Sequence, residues 1–234
     1  MTPKNDLFTE LSIANRILFN EGVVDAFGHV SVRNPQNSER FFLARNMAPN
    51  TVSPGDILEH DLDGTVVGDD RKPYLERYIH GEIYRKRPDV MAVVHSHSPS
   101  IVPFSVVKSV PLRPVCHMSC FIHDYAPIYE IRDHSDAPTD LLISNQDLGK
   151  SLAETLGERN TVLMRGHGST VVADSLMRVV YRAVYLEVNA KLQAQAMSLG
   201  EVTYLSKEEA EQAMINVEGQ MVRAWDHWKS SVSL

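Results

Sequence analysis

The feature that most constrains this chain is the run Met91-Ala92-Val93-Val94, which ends in His95-Ser96-His97. Four apolar residues of this kind predict a buried β-strand, and residues i and i+2 of a strand point to the same face. Two imidazoles so placed start about 6 to 7 Å apart at the backbone. Both rings can then tilt onto one metal ion at about 2.0 to 2.1 Å. The other reading of the same pair is two hydrogen-bonded histidines at a strand end. A third histidine, His167, lies between Gly166 and Gly168, where glycine permits a sharp bend that presents the ring. By itself it reads equally as a turn histidine. Three neutral imidazoles are a standard ligand set for a divalent metal with positions left open. Glu76 is the candidate acid/base group beside them, its alternative being a solvated helix residue paired with Arg77 or His80.

The surrounding pattern alternates helical and strand periods. Leu7, Leu11, Ala14 and Leu18 predict a helix over residues 6–20, ended at Glu21-Gly22. Residues 30–33 and 40–44 read as strands around an Asn34-Pro35 turn. Asp61-Leu62-Asp63-Gly64 reads as a hairpin turn between Ile57-Leu58 and Val66-Val67. Leu75, Ile79 and Ile83 predict a helix over residues 73–87 that runs, past Pro88, into the strand at 90–97. Residues 99–138 are Pro-rich and mix strand and loop. A helix carrying Leu148, Leu152 and Leu156 follows. Strands at 161–164 and 169–172 flank the Arg165-Gly166-His167-Gly168 turn, and 175–199 is a long helix. Ser206 and Glu209 form a capping-box pattern that opens a last helix ending with Trp225 and Trp228. No linker divides the chain, so one α/β domain over residues 1–234 is expected.

Composition removes several classes. The 234 residues are 43% hydrophobic and 23% charged, which excludes disorder and fibres. The net charge of -7, with no basic run, argues against nucleic acid as a partner. No apolar stretch approaches the roughly 18 to 20 residues that span a bilayer. Residues 1–10 lack the apolar core of a secretory signal. Only two cysteines occur, Cys116 and Cys120, read as buried thiols of a cytoplasmic chain and not as a disulfide scaffold.

The order Glu76, Arg87-Pro88-Asp89-Val90, His95-Ser96-His97 and Gly166-His167-Gly168 resembles the class II aldolase/adducin family. There a glutamate precedes the first metal histidine by nineteen residues, as Glu76 precedes His95. Gly22-Val23-Val24-Asp25-Ala26-Phe27-Gly28-His29 is similar to the family's glycine-containing loop, and the likeness covers about residues 7–172. It implies an α/β/α sandwich on a central, mainly antiparallel sheet. It also implies a homotetramer with active sites between subunits, His95, His97 and His167 as metal ligands, and Glu76 as general acid/base.

The departures are informative. Gly28-His29 stands where the sugar-phosphate aldolases have Gly-Asn, and Tyr74-Leu75 replaces their phosphate-holding serines. Leucine has no donor for a phosphate. Ala44-Arg45-Asn46-Met47 stands where a Thr-rich, glycine-containing segment is expected. His29, Arg45 and Tyr74 suit a carboxylate or ring hydroxyl instead, the other readings being an ordinary surface ion pair for Arg45 and a core-edge aromatic for Tyr74. The pattern is similar to the family's decarboxylases of hydroxylated aromatic or pyridine acids, with 3-hydroxy-2-methylpyridine-4,5-dicarboxylate, from vitamin B6 degradation, as the expected substrate. Manganese is the expected metal and zinc the alternative. Burial is expected to raise the Glu76 pKa. His117, His123 and Tyr125 are read either as residues reaching the site from the same or a neighbouring chain, or as a subunit contact. Sugar-phosphate aldolase, epimerase or dehydratase activity, and a non-enzymatic adducin-like module, are the alternative functions.

Overall fold

The computed structural model describes residues 4–135 and 138–233. Residues 1–3 of the N-terminal segment, and Asp136 and Ala137 of the Pro-rich stretch, lie outside the described residues. The elements in chain order are α1 (Lys4–Asn20), β1 (His29–Arg33), β2 (Arg40–Ala44), β3 (Ile57–Asp61), α2 (Arg77–Lys86), β4 (Ala92–Ser96) and α3 (Val102–Val106). There follow β5 (Ile128–Tyr129), α4 (Gln146–Leu156), β6 (Thr161–Met164), β7 (Gly168–Ala173), α5 (Leu176–Leu199), α6 (Lys207–Glu218) and α7 (Met221–Ser230).

The strands form one sheet in the order β3-β2-β1-β4-β7-β6-β5. Every pairing is antiparallel except β5 with β6. Helices flank it, α1 packing with α5 and α2 with α4, so the expected α/β/α architecture is present. The central strands read as unbroken β-branched and apolar runs because both faces are covered: Val93, Val94, Val171 and Val172 are all buried. Arg33, itself buried, ties the layers together. Its guanidinium donates to the carbonyls of Tyr84 and Arg87 at the end of α2 and to that of Val90 before β4. A cation at a helix C-terminus satisfies carbonyls that lack helical partners.

Three expectations are corrected. The helix of 73–87 begins only at Arg77, and Leu75 is 55% exposed. Pro73 is drawn into a bridge with Arg45, so the preceding turn cannot wind into the helix. The second arm of the Asp61–Gly64 hairpin shrinks to one bridge, His60 with Val66, although Thr65 closes the turn onto Asp61. The last helix is two: the capping box at Ser206 and Glu209 opens α6, but the chain breaks at Gly219-Gln220 before α7. Cys120 is buried as expected, whereas Cys116 is partly exposed; neither forms a disulfide. Among the described residues no helix is long and apolar enough to cross a membrane.

Gly168 lets two parts of the site approach each other. A Cβ there would overlap the Ser96 carbonyl and lie 3.0 Å from the His97 Cα. Both neighbours are backbone and cannot swing aside. Gly168→Ala is therefore expected to cost at least about 1–3 kcal/mol, the usual range for overpacking. For a chain of this size that lowers Tm by roughly 2–4 °C per kcal/mol. Thermal unfolding checks it; an unchanged Tm would mean the two backbones can part freely.

Candidate metal centre

His29 of β1 faces His95 of β4 in register, and His95 faces Thr170 of β7. Three neighbouring strands thus deliver their ends to one place. His95 is fully buried, and His97 follows two residues later on the same side, its Nε2 3.1 Å from the His95 Nε2. The Arg165–Gly168 turn brings in His167, whose Nε2 lies 2.9 Å from the His97 Nε2. Glu76, the residue capping α2, places Oε2 3.4 Å from His95 Nε2 and 3.5 Å from His167 Nε2. One ligand atom from each of these four residues lies within 4.8 Å of all the others. The close partners of the Glu76 carboxylate are thus these imidazoles and not Arg77 or His80.

The hydrogen-bond chemistry around the rings fits a cation. His95 Nδ1 faces the Ser169 carbonyl at 3.1 Å, and His167 Nδ1 faces the Leu141 carbonyl at 3.0 Å. A carbonyl only accepts, so each Nδ1 carries the proton and each Nε2 is a bare lone pair. Two such lone pairs, the His97 Nε2 and the Glu76 carboxylate oxygen converge on one point. Without positive charge these groups repel; a divalent ion reverses the sign. Backbone carbonyls that orient ligating imidazoles in this way are a common feature of metal sites. Leu141 has φ of 70°, a conformation that a leucine rarely adopts and that aims its carbonyl at His167. Glu76 Oε1 accepts from the Ile143 N–H at 2.9 Å, fixing the carboxylate from the same loop.

The expected rise of the Glu76 pKa is corrected. Burial does push it up, but the adjoining His95 and His167 imidazoles, in their protonated forms, together outweigh burial and hold the carboxyl below its ordinary range. His97 is lowered to about 4, by burial first and then by His95 and His167. His167 goes the other way: burial lowers it, yet the Glu76 carboxylate and the Leu141 carbonyl raise it overall.

The remaining expected residues divide. The His29 ring lies 5.1 Å from that of His95 and so adjoins the centre, whereas Tyr74 packs on His29, with 4.6 Å between the two rings. The Tyr74 hydroxyl donates to the Met47 carbonyl, and burial pushes its pKa up to about 12. Arg45 binds Asp56 through Nε at 2.7 Å on a partly exposed surface. His117 and His123 are not in the four-residue cluster: His117 lines a cavity with Tyr181, Tyr185 and Trp228, while His123 meets Asn160. Tyr125 lies under the Arg159 guanidinium. Sequence reasoning missed Phe27, 64% exposed and stacked on His97. It also missed Ile143 and the three buried residues His80, Ser31 and Tyr84. The two-residue spacing of His29 and Ser31, and the four-residue spacing of His80 and Tyr84, were the available signals for the last group. Ile143 acts through its backbone and had none.

The class II aldolase and adducin N-terminal domain model matches residues 9–194. Decarboxylase tropJ of Talaromyces stipitatus is 37% identical over 92% of this chain and 90% of its own length. The 3,4-dihydroxyphthalate decarboxylase of Arthrobacter keyseri is 30% identical over 81% of this chain and 78% of its own. The solved L-fuculose 1-phosphate aldolase of Glaciozyma antarctica superposes with a TM-score of 0.77 at 22% identity, over 97% of this chain and 91% of that one. The fold and the histidine-carboxylate centre define a class II aldolase-type protein. This chain belongs to the class II aldolase and adducin family.

Proposed function

We propose that this chain, a carbon–carbon lyase of that family, is a decarboxylase of hydroxylated aromatic or pyridine acids. The observation that carries the proposal is the wall beside the centre. His29 stands there with Tyr74 packed on its ring, Leu75 turns outward, and no pair of serine hydroxyls precedes Glu76 to hold a phosphate. The first compound to test is 3-hydroxy-2-methylpyridine-4,5-dicarboxylate. The second is 3,4-dihydroxyphthalate, the substrate in the name of the Arthrobacter relative. Both carry a hydroxyl and two carboxylates on three consecutive ring carbons, the same recognition problem.

His95, His97 and His167 would hold a divalent ion, manganese first and zinc second, with Glu76 touching it at rest. When bound, the ion supplies Lewis acidity that stabilises negative charge next to the breaking bond. The protein's own groups do the rest. Glu76 starts as a carboxylate and takes the ring-hydroxyl proton as substrate binds. The bond to the carboxylate then breaks, its electron pair stays with the ring, and carbon dioxide leaves. Glu76 returns a proton to that ring carbon, so one acid/base group serves both steps. His29 and Tyr74 orient the substrate, and Arg45, if it swings from Asp56, binds the retained carboxylate. The whole chain acts as one domain in a cytoplasmic homotetramer, with sites at subunit interfaces.

The test is to load the protein with manganese, incubate it with both acids and a phosphorylated ketose, and measure released carbon dioxide. Carbon dioxide from a hydroxy acid is expected. Cleavage of the phosphorylated ketose alone would establish the aldolase reading. Protein that binds no divalent ion and turns over nothing would establish an adducin-like module.

A further inference from the structure

Behind His29 a chain of buried polar groups runs into the core. His29 Nδ1 is 2.7 Å from His80 Nε2, His80 Nδ1 is 2.6 Å from Ser31 Oγ, and Ser31 Oγ is 2.7 Å from the Tyr84 hydroxyl. All four residues are buried. At 2.7 Å the two facing ring nitrogens have room for one proton between them, so one of the pair is a bare acceptor whose ring carries its proton on the other nitrogen. Ser31 Oγ either relays a proton along the chain in one of two directions or accepts from both neighbours, and the last arrangement strands its own proton in the core. If His29 donates inward, His80 donates to Ser31, Ser31 to Tyr84, and the Tyr84 O–H must find another acceptor. Among the described residues the Tyr84 hydroxyl meets no hydrogen-bond acceptor besides Ser31 Oγ. The phenol proton would be stranded in the core, where unsatisfied donors are rare. In the opposite sense every proton is used: Tyr84 donates to Ser31, Ser31 to His80, and His80 to His29 Nδ1.

We infer that Tyr84, Ser31 and His80 are positioning residues that set His29 as the Nε2–H tautomer, a fixed hydrogen-bond donor to an anionic substrate oxygen at the metal centre. The inference deepens the functional reading above and rests on it for the identity of the acceptor. His29 Nε2 has no partner among the described residues and is not sealed from solvent, so this nitrogen remains for a ligand. An N–H at this place also cannot coordinate the ion, which keeps the ligand set to the four residues already described. A donor preset before binding spares the substrate the cost of selecting one tautomer from a mixture.

Neutron diffraction from deuterated crystals of the full chain reads the tautomer directly and needs no turnover. Deuterium is expected on Nε2 of both His29 and His80; deuterium on His29 Nδ1 overturns the proposal. In Tyr84→Phe the polarity is released, and deuterium should divide between the two His29 nitrogens. Full occupancy at Nε2 in that variant would remove Tyr84 from the role. With the hydroxy acid that turns over, Tyr84→Phe should raise KM about twofold or more, as the competent fraction halves. Metal content should stay unchanged, and kcat should change less than KM. An unchanged KM counts against the proposal. Failure of the decarboxylase reading looks different: no acid is turned over, while the deuterium positions stand.

Discussion

Replacing His97 by alanine will strip the metal from this chain and abolish turnover in the same step. His97 Nε2 lies 3.1 Å from His95 Nε2 and 2.9 Å from His167 Nε2, so it is the shared neighbour of the other two imidazoles. Losing an outer partner of a metal ligand typically costs 10–100-fold in affinity. Losing the ligand itself is expected to exceed about 100-fold. The fold should survive, because His97 follows β4 and is only partly buried. The metal-free variant is expected to unfold no earlier than the metal-free wild type, since it has one fewer lone pair in a crowded cluster. What disappears is the stabilisation that added metal brings by binding only the folded state. Metal analysis after dialysis, with thermal unfolding in the presence and absence of manganese, reads all of this. Stoichiometric metal in the variant would remove His97 from the ligand set.

Glu76→Gln is expected to keep the metal and lose about 10²–10⁴-fold in kcat, the usual range for an acid/base group. The amide has the shape of the carboxylate, and its oxygen can still accept from the Ile143 N–H. It cannot take a proton from a ring hydroxyl or return one to ring carbon. Two of the three imidazoles lie within 3.5 Å of the carboxylate, so the variant also loses charge where the ion binds. Some weakening of metal affinity is expected, but the three histidines should retain it at saturating concentration. Comparing kcat of the two proteins at saturating manganese separates these effects. Near-normal turnover would assign Glu76 a purely structural role.

Much of the centre was legible because the relevant signals are local. The period of two in β4 places His95 and His97 on one side from sequence alone, and the glycines around His167 announce a bend. The α6 capping box is equally local: Ser206 accepts from the Glu209 N–H, and Glu209 answers to the Ser206 N–H. The start of α2 was misplaced because the deciding contact is distant. The period of Leu75, Ile79 and Ile83 is helical, but the bridge from Arg45 to Pro73 holds the first of these outside the helix. The direction of the Glu76 shift was misread for the same reason. Burial can be guessed from pattern, whereas two imidazoles brought up from β4 and from the turn before β7 cannot.

By itself, then, the sequence determined the period of β4 and the bend at Gly166–Gly168, the histidines each of them carries, and the absence of serines before Glu76. All of these depend on residues a few positions apart, whose relative directions follow from backbone period. Only the tertiary structure decided that the three rings converge, because their meeting depends on pairing β4 with β7 across some seventy residues of chain. It alone decided which nitrogen each ring presents, since the groups that choose are main-chain carbonyls at Ser169 and Leu141. Every residue has a carbonyl, and only packing determines where one points.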